Sequence, residues 1–273
     1  MQRKSFDKKY IFNELDKLSL KISIPLKLTI IGGLGLMHFG LKEATKDVDV
    51  IVQKPSELKA LVSSLESLGY HPPNSVQISR PYRKMEANKI LENDDGFRWD
   101  IFLGQVCRAL VFSKEMMTRA SVLYQKNLLK VLLASKEDLF LFKGITEREA
   151  DLDDMRLLAE SGLNWNMIEQ ECRNQTIMSG RLWENALLSN MIELEEKYSI
   201  KSPLRKKLEV IVEEKLTEDA VLKALREGKN TVAVISKTTK LPEYFIRACL
   251  SKMEKKGLIR IDRSKRPYKV VIV

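Results

Sequence analysis

The chain is expected to fold as an α/β (α+β) protein with a mixed sheet, followed by a helical connector and a small basic module of helices closed by a β-hairpin. Three observations lead there. Over residues 1–150, β-branched strand-like runs alternate with helically spaced segments, the pattern of a layered α/β architecture. From Asp151 the pattern turns wholly helical. Positive charge then collects at the end of the chain. Thr217 to Val273 holds 14 Lys/Arg against 6 Asp/Glu, whereas the first 216 residues hold 33 against 31. These shifts divide the chain into 1–160, 161–204 and 205–273.

The elements follow in order. Leu28-Thr29-Ile30-Ile31 is a β-branched strand closed by Gly32-Gly33, and Gly35 to Leu41 is a short helix. Asp47 to Val52 is a second strand, ended by Lys54-Pro55. Ser56 to Leu68 places Leu58, Leu61, Leu65 and Leu68 at helical spacing before Gly69. Asn88 to Glu92 and Phe97 to Leu103 flank Asn93-Asp94-Asp95-Gly96, the turn chemistry of a hairpin. Leu128 to Leu133 is a further strand, and Ser135-Lys136-Glu137-Asp138 caps the helix after it. Helices are expected over Asp151–Ser161, Asn166–Asn174 and Arg181–Lys197, with Ser202-Pro203 capping another. In the last module, helices are expected over Thr217–Gly228, from Thr231, and from Pro242 to Lys256. Arg260–Arg263 and Tyr268–Val273 then form a hairpin around Ser264-Lys265-Arg266-Pro267.

Composition narrows the function classes. With 44% hydrophobic and 31% charged residues, the 273-residue chain is neither collagen-like nor wholly disordered. Its longest uncharged apolar stretch, Leu28 to Leu41, has 14 residues and four glycines, too short for a bilayer. The N-terminus has charge but no apolar run behind it, so no signal peptide is expected. Cys107, Cys172 and Cys249 lie far apart and form neither a disulfide framework nor a zinc pattern. A cytoplasmic chain without a membrane partner is the expectation. The basic end is the footprint of a phosphate-rich partner, or else a solvated lysine-rich surface.

Carboxylates carry the candidate chemistry. Asp47 and Asp49, two apart on a strand, project from one face, while Val48, Val50 and Val52 project from the other. On the hairpin's second strand Asp100 shares a face with Arg98 and Phe102. If those strands are neighbours, three acids converge, and like charges that close call for divalent cations. Two metals about 3.5–4 Å apart can clamp the attacking and leaving oxygens of a phosphoryl displacement. A D-x-D on a strand is otherwise a solvated edge. Gly32-Gly33 leaves bare backbone that can approach triphosphate oxygens closely.

Ile31-Gly32-Gly33-Leu34, followed by Thr45-Lys46-Asp47-Val48-Asp49-Val50 and by Asp100 on a later strand, resembles the nucleotidyltransferase superfamily of the DNA polymerase β type. It is most similar to the minimal and abortive-infection toxin-type members, over residues 20–160. Many members have Gly-Ser where this chain has Gly32-Gly33. The resemblance implies a nucleotidyltransferase core, a nucleoside triphosphate substrate and Mg²⁺ or Mn²⁺. It implies that Gly32 and Gly33 bind the nucleotide and that Asp47, Asp49 and Asp100 hold metal; Lys46, like Lys42, is a candidate nucleotide-phosphate contact by its position alone. Asp100 would also act as general base. Lys143, with Asp151 and Asp154, resembles a lysine and acid found after the core in the toxin-type relatives. Read on their own, Lys143 is a solvated helix residue and the two acids favour a helix N-terminus.

The last module resembles a winged helix-turn-helix domain, most specifically in Leu250-Ser251-Lys252-Met253-Glu254-Lys255-Lys256-Gly257-Leu258-Ile259. In that fold the third helix enters the major groove and the wing follows the backbone. The resemblance implies that Tyr244, Arg247, Ser251 and Lys252 face the groove, and that Arg263, Lys265 and Arg266 meet phosphates. Three readings stand side by side. One is a metal-dependent transferase moving a nucleoside monophosphate to an RNA or protein hydroxyl. The second is a non-catalytic DNA-binding regulator of the toxin–antitoxin type that keeps the shell. The third is an antitoxin-like module gripping a protein. The expected partners are a nucleoside triphosphate, nucleic acid (DNA through the wing module, RNA as substrate) and a second copy in a homodimer.

Overall fold

The computed structural model describes residues 3–73, 87–106, 110–144 and 149–273, so Cys107 lies outside the described residues. They form two compact units that divide between Leu204 and Arg205.

The first unit is built on a six-stranded mixed sheet. Its strands, in spatial order, are β5 (Lys89–Glu92), β6 (Arg98–Leu103), β4 (Asp47–Val52), β2 (Leu26–Ile30), β10 (Leu129–Leu133) and β9 (Ser121–Lys126), while β7 (Gln105–Val106) and β8 (Leu110–Val111) form a separate antiparallel pair. The central pairs β4–β6 and β2–β10 are parallel, while β2–β4 and the two edge pairs are antiparallel. The expected hairpin over 88–103 forms, turning at Asn93–Gly96. Strand alternation sends Val48, Val50, Val52, Trp99 and Ile101 to one face with Leu28 and Ile30. There α1 (Lys8–Ser19) supplies Ile11, Leu15 and Leu18, and α3 (Pro55–Glu66) supplies Leu61 and Leu65. Pro55 opens α3, and Glu57 accepts from the backbone N–H groups of Gln53 and Lys54 at 2.9 and 3.0 Å. The opposite face carries Asp47, Asp49 and Ile51 beside Arg98, Asp100 and Phe102.

An N-terminal arm crosses toward that face. β1 (Phe6–Asp7) pairs antiparallel with β3 (Ala44–Thr45), placing Phe6 opposite Thr45. Phe6 is buried against Tyr10 and Phe97, with ring centroids 4.6 and 5.0 Å away. Tyr10 donates to Asp95 at 2.7 Å; burial and that carboxylate push its phenol up to about 12.

Ser135 caps α5 (Lys136–Lys143) by accepting from Asp138 N, as its sequence position predicts. α6 (Glu149–Glu160) and α7 (Trp165–Ser179) pack on α5, and α8 (Trp183–Tyr198) packs on both, so the unit runs to Leu204. Arg119, which ends α4 (Lys114–Arg119), ties these helices by donating to Asp138 at 2.6 and 3.1 Å and to Glu171 at 2.7 Å. Burial opposes its charge, but the two carboxylates more than offset that and raise its pKa. Such a saturated cluster is a structural tie.

In the second unit, α9 (Arg205–Arg226), α10 (Val232–Thr239) and α11 (Glu243–Lys255) precede β11 (Ile259–Asp262) and β12 (Lys269–Ile272), an antiparallel pair. Val221, Leu225, Ile235, Ile246, Leu250, Met253, Ile259 and Val270 form its core. Two expectations need correction. Ser202-Pro203 does not open the helix, which begins at Arg205, and the separate helix from Thr217 is the second half of α9. No glycine or proline interrupts residues 204–227, and Thr217 Oγ1 donates back to Glu213 O at 2.8 Å instead of capping. Among the described residues, no helix is long and apolar enough to cross a membrane.

Candidate active site

The parallel register of β4 and β6 sets Asp49 directly beside Asp100. Neighbouring strands lie about 4.8 Å apart, so two carboxylates emerge side by side from one sheet face, 8% and 1% exposed. Asp47, two residues earlier on the same face, is half-buried opposite Arg98. The Gly-Gly turn closes on them. Gly32 is the N-cap of α2 (Gly33–His38), and a Cβ placed on it would lie 1.8 Å from Asp49 Oδ2. A Cβ on Gly33 would lie 2.4 Å from Thr45 Oγ1, and that hydroxyl donates to Asp47 O at 3.1 Å. The two glycines are therefore needed for close approach, and they bind turn and acid strand into one surface.

Positive groups flank this surface. Arg3 donates from Nη1 to Asp47 Oδ2 and from Nη2 to Lys46 O, both at 2.9 Å. Arg98, wholly buried, pairs through Nε with Glu92 Oε2 at 3.0 Å. Lys46 is exposed, with its carbonyl taken by Arg3. Among the described residues, no three His, Cys, Asp or Glu side chains converge closely enough to enclose a metal ion. Asp49 and Asp100 stand together, while the Asp47 carboxylate is drawn to Arg3. The donor set nonetheless fits a hard divalent cation, which takes carboxylate oxygens, and Gly32 keeps the space against Asp49 clear of a side chain.

A second charged cluster is buried where α5 meets α6. Lys143 Nζ lies 2.7 Å from Asp151 Oδ1 and 3.0 Å from Asp154 Oδ2, and Asp154 also pairs with Lys42, from the loop between α2 and β3. The acids are 2% and 3% exposed. Lys143 is thus not a solvated helix residue, and the two aspartates do more than favour a helix end. This charge chain reaches the segment that delivers Asp47.

Arg3 and the Lys42–Asp154 link could not be found from sequence. Arg3 lies 44 residues from Asp47, and only the β1–β3 pairing brings them together. Arg98 had a signal, its alternation with Asp100, but nothing to show that it would be buried.

In the second unit, Tyr244 is 74% exposed and Ser251 is exposed on α11. Arg247 pairs with Glu243 at 2.9 Å on the same helix, and Lys252 pairs with Glu214 of α9. Arg263 grips Glu254 through both guanidinium nitrogens, at 2.9 and 2.6 Å. Lys265 and Arg266 stand exposed at the hairpin turn. The Arg263 guanidinium, with the Ile261 N–H, lowers the Glu254 pKa to about 2. A depressed carboxylate contributes stability above its ordinary 4.5 and loses it as pH falls toward 2. Carboxyl NMR is expected to place the Glu254 midpoint near 2 and Arg263→Ala to move it up toward 4.5; an ordinary midpoint in the unaltered chain would refute the pairing.

A mixed sheet with a Gly-Gly turn pressed against D-x-D, and a third carboxylate on the adjoining parallel strand, is the layout of a nucleotidyltransferase-like core. The sequence profile of a family described as nucleotidyltransferase of unknown function (DUF6036) matches residues 9–186, and the chain belongs to that family. No curated protein matches the chain. Family membership supports a transferase with a nucleotide substrate at that coarse level.

Proposed function

We propose that the first unit is a metal-dependent nucleotidyltransferase that moves a nucleoside monophosphate from a nucleoside triphosphate to a hydroxyl of RNA or protein. In this reading residues 1–160 carry the chemistry, 161–204 connect, and 205–273 are a winged helix-turn-helix module that binds nucleic acid. The register of Asp49 beside Asp100, with Gly32 against Asp49, supports the reading most.

Asp47, Asp49 and Asp100 would hold Mg²⁺ or Mn²⁺, which when bound neutralises triphosphate charge and the leaving oxygen. The backbone at Gly32 and Gly33 receives the phosphates, with Lys46 beside them and Lys143 as a second cation. The acceptor hydroxyl oxygen attacks the α-phosphorus, its proton passes to the Asp100 carboxylate, and the bond to the β-phosphate oxygen breaks to release pyrophosphate.

The rival reading is a non-catalytic regulator that keeps the shell. Arg3 and Arg98 favour it, because they place positive charge on the acid face without metal. Incubation with labelled nucleoside triphosphates, Mg²⁺ and total RNA or lysate separates the two. The transferase reading expects labelling that falls at least about 10²-fold in Asp49→Asn, the scale for loss of a transition-state electrostatic contact. No labelling, or labelling indifferent to Asp49, would leave the regulator.

A further inference from the structure

The second unit's surplus of positive charge is unevenly available. Lys252 and Lys256 reach across to Glu214 and Glu218 of α9, so they lie on the side of α11 turned toward that helix. Arg247 is matched by Glu243 in the first turn of α11. Arg263 is folded back on Glu254, which also accepts from Ile261 N at 3.1 Å, so it fastens the hairpin to the helix. A phosphate that drew any of these cations away would still face the carboxylate left behind.

The hairpin differs. Arg260 and Lys269 stand exposed on its outer face, opposite the residues that enter the core, and Lys265 and Arg266 stand at its turn. Among the described residues none of the four is ion-paired; Asp262 stands across the hairpin from Lys269 and feels the charges of Arg260 and Lys269, leaving a surplus of three charges on one small ribbon. The Arg266 guanidinium rests 5.7 Å above the Tyr268 ring, which limits the freedom it would lose on binding. Beside it, a cleft of about 620 Å³ runs between α11 and the hairpin.

We propose that this hairpin, through Lys265 and Arg266 with Arg260 and Lys269, holds the phosphates of duplex DNA, and that α11 is not inserted for base readout. The proposal rests on the winged-helix reading and deepens it. Contacts to phosphate alone carry no sequence information, so binding is independent of sequence and steeply dependent on salt. The chain then approaches duplexes by their charge and not by an operator.

The test uses the full chain and a labelled random-sequence DNA duplex, with anisotropy followed over a range of KCl. Lys265→Ala/Arg266→Ala is expected to weaken binding about tenfold and to reduce the log–log salt slope by about 2, one unit per phosphate lost. Arg247→Gln/Lys252→Gln is expected to stay within about twofold of the unaltered chain, with the same slope. Equal or greater loss in the helix variant, or strong preference for one sequence in a duplex pool, would overturn the proposal alone. Absence of salt-dependent binding to any duplex would overturn it together with the winged-helix reading.

Discussion

Gly32→Ala is expected to abolish nucleotidyl transfer while leaving most of the fold intact. The added methyl would lie 1.8 Å from Asp49 Oδ2, 2.7 Å from its Cγ and 2.9 Å from its Cβ. No rotamer of a buried aspartate clears all three, so either the side chain leaves its place beside Asp100 or the turn lifts off β4. Overpacking of this kind costs about 1–3 kcal/mol, seen as a lowered melting temperature of the first unit. Losing the carboxylate's position should reduce labelling at least about a hundredfold, as loss of an oriented charge does, and weaken Mn²⁺ binding measured by electron paramagnetic resonance. Unchanged turnover and Mn²⁺ affinity in Gly32→Ala would show that Asp49 is not used where it stands.

Lys143→Met is expected to destabilise the first unit by about 3 kcal/mol in urea unfolding, the scale for removing one partner of a buried ion pair. Without that cation Asp151 and Asp154 keep two buried carboxylates close together, with Lys42 on one of them. Lys143→Met/Asp151→Asn should regain most of the stability, because the charge imbalance is gone. That pair of variants separates two roles of the lysine. If Lys143 only balances charge, the double variant recovers labelling; if it contacts the nucleotide, stability returns and labelling does not. A single variant as stable as the unaltered chain would refute the charge-balance role.

Much of the core was legible because its signals are local. The alternation in Asp47–Val52 and Arg98–Leu103 fixes which side chains share a face whatever the neighbours are, and the turn at Asn93–Gly96 fixes the hairpin. That β4 and β6 are neighbours is only a condition in the sequence, since nothing within either strand specifies its partner or direction; the structure makes them a parallel pair. The charged environment of the carboxylates was hidden for the same reason: Arg3, Arg98 and Lys42 acquire their places through pairings 6 to 112 residues away in the chain. In the second unit Thr217 and Ser202-Pro203 carry the residue types of helix starts, yet an uninterrupted run of helix formers outweighs them. The winged-helix resemblance places Lys252 at the groove, and nothing in the local sequence shows that Glu214 of α9 stands beside it.

The arm that bears Arg3 supplies the acid face with its own tethered counter-ion. Folding of the sheet then need not wait for a divalent cation. If the acid face takes a cation with a nucleotide, as proposed, that cation would exchange places with the Arg3 guanidinium at Asp47, and loading would be a swap.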